Sequence, residues 1–254
     1  MTDAALRLGS VPYLNARPLL EGLAEDVGAI TFALPSELAR LLRARVLDAA
    51  LAPVVAAFDD PALVIVPAGA VVARGPVRSV LLFARRPVED LRTIGLDTSS
   101  RTSAALVRVL CRHRWGTNPR FVPREPDPDV RRLRDDAALL IGDPALRAVW
   151  DGPPPVDLGA AWTEWTGLPF VFAAWLATDA RAAERARPAL ERAAARGRER
   201  LDAIAADGAR RLDLPHDDVL RYLRDHLSFR YGPDEAAGLE RFRELWRATH
   251  HGPG

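Results

Sequence analysis

The stretch GLDTSSRTSAALVRVL, Gly95 to Leu110, gathers the residues of this chain best suited to holding an anion. A short apolar run gives way to hydroxyl residues and one Arg where a helical pattern begins. The first turn of a helix carries unpaired N–H groups and the positive end of the helix dipole, so a carboxylate or phosphate is expected there. Thr98, Ser99, Ser100, Thr102 and Ser103 supply hydroxyls, and Arg101 can fork onto a carboxylate. Capping the helix needs one or two of those hydroxyls, which leaves the others without a local duty.

Three further junctions between apolar runs and helical patterns carry candidate side chains. In SVPYLNARPLL, Asn15 suits either a helix N-cap or ligand recognition, with Pro18 in the first turn. Tyr13 reads as wall or core, and Arg17 as solvent-facing. GPVRSVLLF sets Ser79 at the start of a strand after a Gly-Pro turn, where a small polar residue is tolerated without any function. IGDPALR places Asp143 before Pro144, the pattern of an N-cap with Pro at the first helical position, or of an acid. Asp97, at the end of its strand, either ties down the loop or accepts a proton. The five His form no ligand cluster, and no HExxH, CxxC or GxxxxGK[ST] pattern occurs, so neither a metal nor a nucleotide cofactor is expected. The single Cys111 excludes an intramolecular disulfide and reads as core filler.

Composition narrows the partners. Among 254 residues the 35 basic ones are all Arg and face 34 acidic ones, so a net charge of +1 draws neither nucleic acid nor a membrane surface. With no Lys, Schiff-base chemistry has only the terminal amine to use. No window approaches the roughly 20 apolar residues of a membrane span. The opening MTDAALRLGSV lacks a basic region followed by a long apolar run, and a cytoplasmic location is expected. Monomer and homodimer both stay open.

The elements that must position these residues alternate. Leu6 to Val11, Ala29 to Leu34, Asp48 to Val54 and Leu63 to Ala73 read as strands, with helices near Ala16 to Ala24 and Ser36 to Arg45 between them. Ser79 to Arg85 begins a second set, continued by Thr93 to Asp97, Arg120 to Arg124 and Ala137 to Asp143. Asp151 to Gly159 is a Pro-rich surface connection, Phe170 to Thr178 a buried return strand, and three amphipathic helical segments follow Arg181. This predicts an α/β chain of two lobes, each a mainly parallel sheet flanked by helices, with the C-terminal helices on the first lobe. Lobe I spans 1–80 and 175–254 and lobe II spans 81–174, joined by two crossings near Arg74 to Arg85 and Gly167 to Thr178. Ligands of open α/β sheets bind beyond the carboxyl ends of the strands, so a cleft between two such lobes is the expected site.

At SVPYLNARPL, GPVRSVLLF, LDTSSRTS, LLIGDPAL and WTEWTGLPFVFAAW the chain resembles the chorismate dehydratase family of the futalosine route to menaquinone. The resemblance runs from about Leu6 to FRYGPDEAAGLERFRELW. It implies the type 2 periplasmic-binding-protein architecture, a two-lobed clamp, and a hydro-lyase that converts chorismate to 3-[(1-carboxyvinyl)oxy]benzoate without a cofactor. It also implies that Asn15 and Ser79 serve the chemistry and that the SSRTS turn holds a carboxylate, with Ser10, Tyr13, Ser99, Ser100, Arg101, Thr102, Ser103 and Asp143 as the substrate-contacting set. The related 1,4-dihydroxy-6-naphthoate synthase opens with a Ser-Pro-Cys-Pro-Asn-Asp type motif where this chain reads SVPYLNARP. A non-catalytic carboxylate-binding protein is the other alternative. The proton acceptor is expected to be the substrate's own enolpyruvyl carboxylate, ahead of Asp143 or Asp97.

Overall fold

The computed structural model describes residues 5–97 and 100–251. The chain divides into two units at Val72/Ala73, Phe170/Val171 and Pro233/Asp234. It therefore passes between them three times, where the sequence predicts two crossings.

The first unit opens with β1 (Leu8–Ser10), a 3-10 turn (Leu14–Leu19) and α1 (Leu23–Val27). Next come β2 (Ile30–Phe32), α2 (Pro35–Arg43), β3 (Ala49–Pro53), α3 (Val55–Asp59) and β4 (Val64–Ala73). One helix predicted near Ala16 to Ala24 is thus two short pieces. Pro18 removes a backbone donor, and Gly22 at φ 65 turns the chain before α1.

The second unit follows with β5 (Val80–Ala84), β6 (Thr93–Asp97), α4 (Arg101–Val109), β7 (Arg120–Arg124), β8 (Ala137–Ile141) and α5 (Gly142–Leu146). It continues through β9 (Val156–Asp157) and α6 (Leu158–Thr166). β10 (Phe170–Ala177) returns the chain to the first unit, where α7 (Ala180–Glu199), α8 (Leu201–Leu212) and α9 (His216–Arg221) pack, and α10 (Pro233–His251) belongs to the second unit again.

Each unit is built on one five-stranded sheet, ordered β2-β1-β3-β10-β4 in the first and β7-β6-β8-β5-β9 in the second. In both, three parallel strands lie beside an antiparallel one, β10 against β3 in the first and β5 against β8 in the second. β3 is buried along its whole length, as expected of a strand covered on both faces, whereas the short edge strand β2 leaves Phe32 exposed.

The last helix corrects the expected domain boundaries. Phe242 of α10 is packed edge-on against Trp162 of α6 and Phe170, with ring centroids 5.9 and 4.8 Å away. At Gly238 an added Cβ would lie 2.1 Å from the Pro169 carbonyl oxygen, so only glycine admits this approach. Arg74 pairs with Asp234 and with the buried Glu235 at the start of the same helix. Amphipathicity states that a helix buries one face, and it does not say against what.

Candidate active site

The second sheet brings three chain ends to one edge. β6 and β8 run parallel and finish at Asp97 and Ile141, while β5 runs opposite to β8 and starts at Val80, paired with Ile141. Ser79, Asp97 and Gly142 therefore meet there. The Asp97 carboxylate, 2% exposed, accepts the Ile141 N–H at 3.2 Å, and Gly142 N donates to the Ser79 carbonyl at 2.7 Å. Ser79 is itself buried.

From that edge the chain enters α4. Ser100 is its N-cap, accepting the Ser103 N–H at 3.2 Å and donating its own hydroxyl to Ser103 Oγ at 3.0 Å. Arg101 lies exposed in the first turn. Thr102 is 1% exposed, yet its hydroxyl has no hydrogen-bond partner among the described residues. A buried hydroxyl left unpaired costs about 1–3 kcal/mol, and this one lies in the first turn of the helix, at the positive end of its dipole. Thr98 and Ser99 lie outside the described residues.

The approach to Ser79 is unusual. Arg78 has φ 62, a left-handed conformation that costs a residue with a side chain about 1–2 kcal/mol. One carboxylate holds the turn in place: Asp157 Oδ2 accepts the Arg78 N–H at 2.7 Å, and Oδ1 accepts Val77 N–H at 3.0 Å. The same Oδ1 caps α6 through Gly159 N at 2.9 Å and Ala160 N at 3.0 Å. A Cβ added at Gly159 would sit 2.7 Å from the Gly75 carbonyl oxygen and 3.0 Å from Val77 Cβ. Neither residue stands out in the sequence, because DLG falls at the end of the Pro-rich stretch Asp151 to Gly159; an Asp just before a helical run is its one local signal.

In the first unit, Ser10 ends β1 fully buried and its hydroxyl donates to the Val11 carbonyl at 3.2 Å. Tyr13 takes the N-cap position of the 3-10 turn, and no side chain caps that turn. Asn15 is half-buried one residue inside it and forms no side-chain hydrogen bond with another described residue. The capping alternative for Asn15 therefore does not hold. It fails for Asp143 too: Ile141 occupies the cap position of α5, again without a side-chain bond, because the chain turns at Gly142 with φ 61. Arg17 faces Asp207 at 3.7 Å on the surface.

Cys111 is buried, and burial pushes its thiol up to about 11, so it is no nucleophile near neutrality. A cavity of about 450 Å³ opens against β6 to β8, reached by Asp97 and lined by the paired Arg124 and Asp135. Among the described residues no three His, Cys, Asp or Glu gather where they could hold a metal ion, and no helix is long and apolar enough to cross a membrane.

The paired sheets define the class. The architecture matches a protein from Archaeoglobus fulgidus at TM-score 0.80, with 16% identity over 98% of this chain and 99% of that one. It also matches the periplasmic aliphatic sulphonate binding protein of Escherichia coli at TM-score 0.65, with 18% identity over 98% and 88%. The chain has the periplasmic-binding-protein fold. Within that class the sequence model of the menaquinone biosynthesis family matches residues 6–248, and the chain belongs to this family. A chorismate dehydratase of Thermus thermophilus is 32% identical over 188 residues, 66% of this chain and 68% of that one. One of Campylobacter jejuni is 27% identical over 64% of this chain and 62% of its own length.

Proposed function

We propose that this chain is a chorismate dehydratase, a hydro-lyase that forms 3-[(1-carboxyvinyl)oxy]benzoate. The observation that carries the reading is the buried, unpartnered Thr102 hydroxyl at the amino end of α4, in a member of this family. Chorismate bears a ring carboxylate separated by one C=C bond from the carbon whose hydrogen must leave, so that carbon is vinylogous to the carboxylate. As that proton departs, its electron pair spreads toward the carboxylate as an extended enolate. The pair then closes the aromatic ring while the neighbouring hydroxyl leaves with a proton as water. Donors aimed in advance at the carboxylate stabilise the transition state more than the ground state.

In this reading the α4 N–H groups, Thr102 and Arg101 receive the carboxylate. Ser100 and Ser103, bonded to one another, hold the turn that presents them. Asn15, which caps nothing, and Ser79 orient the leaving hydroxyl or the second acid group. Asp97 already accepts the Ile141 N–H, which favours the substrate's own enolpyruvyl carboxylate as proton acceptor. A place in a biosynthetic route supports a cytoplasmic enzyme.

Purified protein mixed with chorismate and followed in the ultraviolet tests the activity directly. Loss of the diene band with growth of a benzoate chromophore is expected. An unchanged spectrum despite binding would mark a carboxylate-binding protein instead. Asn15→Ala and Ser79→Ala should each lower kcat about 10²-fold or more, the scale of lost positioning. Near wild-type turnover by both would discard the assignment.

A further inference from the structure

We propose that Asp157 is a positioning residue that sets Ser79 by holding the preceding turn in its left-handed conformation. The proposal rests on the dehydratase reading. Four backbone N–H groups converge on this one carboxylate, two from the Val77–Arg78 turn and two from the first turn of α6. Capping α6 would need only the latter pair, which a Ser or Asn could serve. The former pair fixes Arg78 at φ 62, one residue before Ser79. On its other side Ser79 is held by its carbonyl, which accepts the Gly142 N–H at 2.7 Å. Release the carboxylate and Arg78 relaxes toward negative φ, which rotates Ser79 about its own backbone. Gly159 completes the device, since any side chain there would push the turn away through the Gly75 carbonyl.

The two oxygens divide the labour, so a single substitution can separate them. Asp157→Asn with its remaining oxygen at the Oδ1 position keeps the α6 cap and the Val77 bond, and turns an NH₂ toward the Arg78 N–H. The expected result is a folded enzyme whose kcat for chorismate falls about 10²-fold with KM within about threefold, because misplacement by about 1 Å costs that much. Adding Arg78→Gly, which populates positive φ without strain, should recover about tenfold of the lost kcat. A merely structural cap would lower the melting temperature, leave kcat alone and show no such rescue.

Should Asp157→Asn fail to fold, Gly159→Ala displaces the same turn with the carboxylate intact, and the same kcat-selective loss is expected. Wild-type kcat in whichever variant folds overturns the proposal, as does absence of rescue by Arg78→Gly in folded Asp157→Asn. Ser79→Ala, measured alongside, separates this idea from the one beneath it. An inactive Ser79→Ala beside a fully active Asp157→Asn removes the positioning role alone. Full turnover by Ser79→Ala removes the catalytic reading and the proposal with it.

Discussion

An unpaired hydroxyl in a protein interior is a liability to the fold of about 1–3 kcal/mol, and Thr102 carries that liability at the mouth of α4. Val has nearly the same shape and no donor. If the hydroxyl exists for the substrate, Thr102→Val should raise the melting temperature, by roughly 1 kcal/mol of added stability, while weakening chorismate binding about tenfold, the equivalent of one good hydrogen bond to a charged group. Thermal unfolding and KM measured on one preparation would check both signs. A loss of stability with unchanged KM would show that the hydroxyl has a structural partner after all. Opposite signs for stability and binding separate a residue kept for function from one kept for packing.

At the scale of elements, the position of Asn15 depends on a helix distant in sequence. Gly197 of α7 lies so close to the 3-10 turn that an added Cβ would be 1.7 Å from the Pro18 carbonyl oxygen. Gly197→Ala must therefore move the turn or the helix, at about 1–3 kcal/mol of overpacking, and should lower kcat well below what the lost stability explains at 25 °C. A denaturation curve paired with turnover checks this, and wild-type kcat would uncouple α7 from the site. Such dependence is not legible in a sequence, where Gly197 is one small residue in an Ala-rich helix. The strands were legible, because β1 to β8 and β10 are apolar runs bounded by Gly, Pro or charge. β9 was hidden by having only two residues, Val156 and Asp157. The hydroxyl turn at α4 is readable from the chemistry of its residues, and Asn15 and Ser79 from their places at junctions between elements, while family resemblance alone gives those two a part in the chemistry. Asp157 escaped because its partners, Val77 and Arg78, stand about eighty residues away. Likewise the shared strand order of the two sheets leaves no internal repeat, since topology is kept by burial pattern rather than by identity of residues.

For the molecule as a whole, the third passage of the chain decides which parts unfold together. α10 is the last element, yet its apolar residues Leu239, Phe242 and Leu245 are buried, and Phe242 joins Trp162 and Phe170 in one aromatic cluster. Phe170 is the last residue of the second unit before β10 continues into the first. Truncating Phe242 to Ala should cost about 3–5 kcal/mol, a large share of the 5–15 kcal/mol that typically holds a domain folded. Because a chain of two units need not unfold in one step, the loss should be uneven. Hydrogen exchange should show amides of β5, β6 and β8 losing protection in Phe242→Ala while those of β1 and β3 keep theirs. Equal loss in both sheets would mean the units unfold as one; loss in the first sheet alone would return α10 to the unit where amphipathicity without tertiary contacts had placed it. The α4 turn and Ser79 lie in the weakened unit and Asn15 lies in the other. Turnover should therefore fall with the protection of β6 and β8, at denaturant concentrations where the first sheet is still intact.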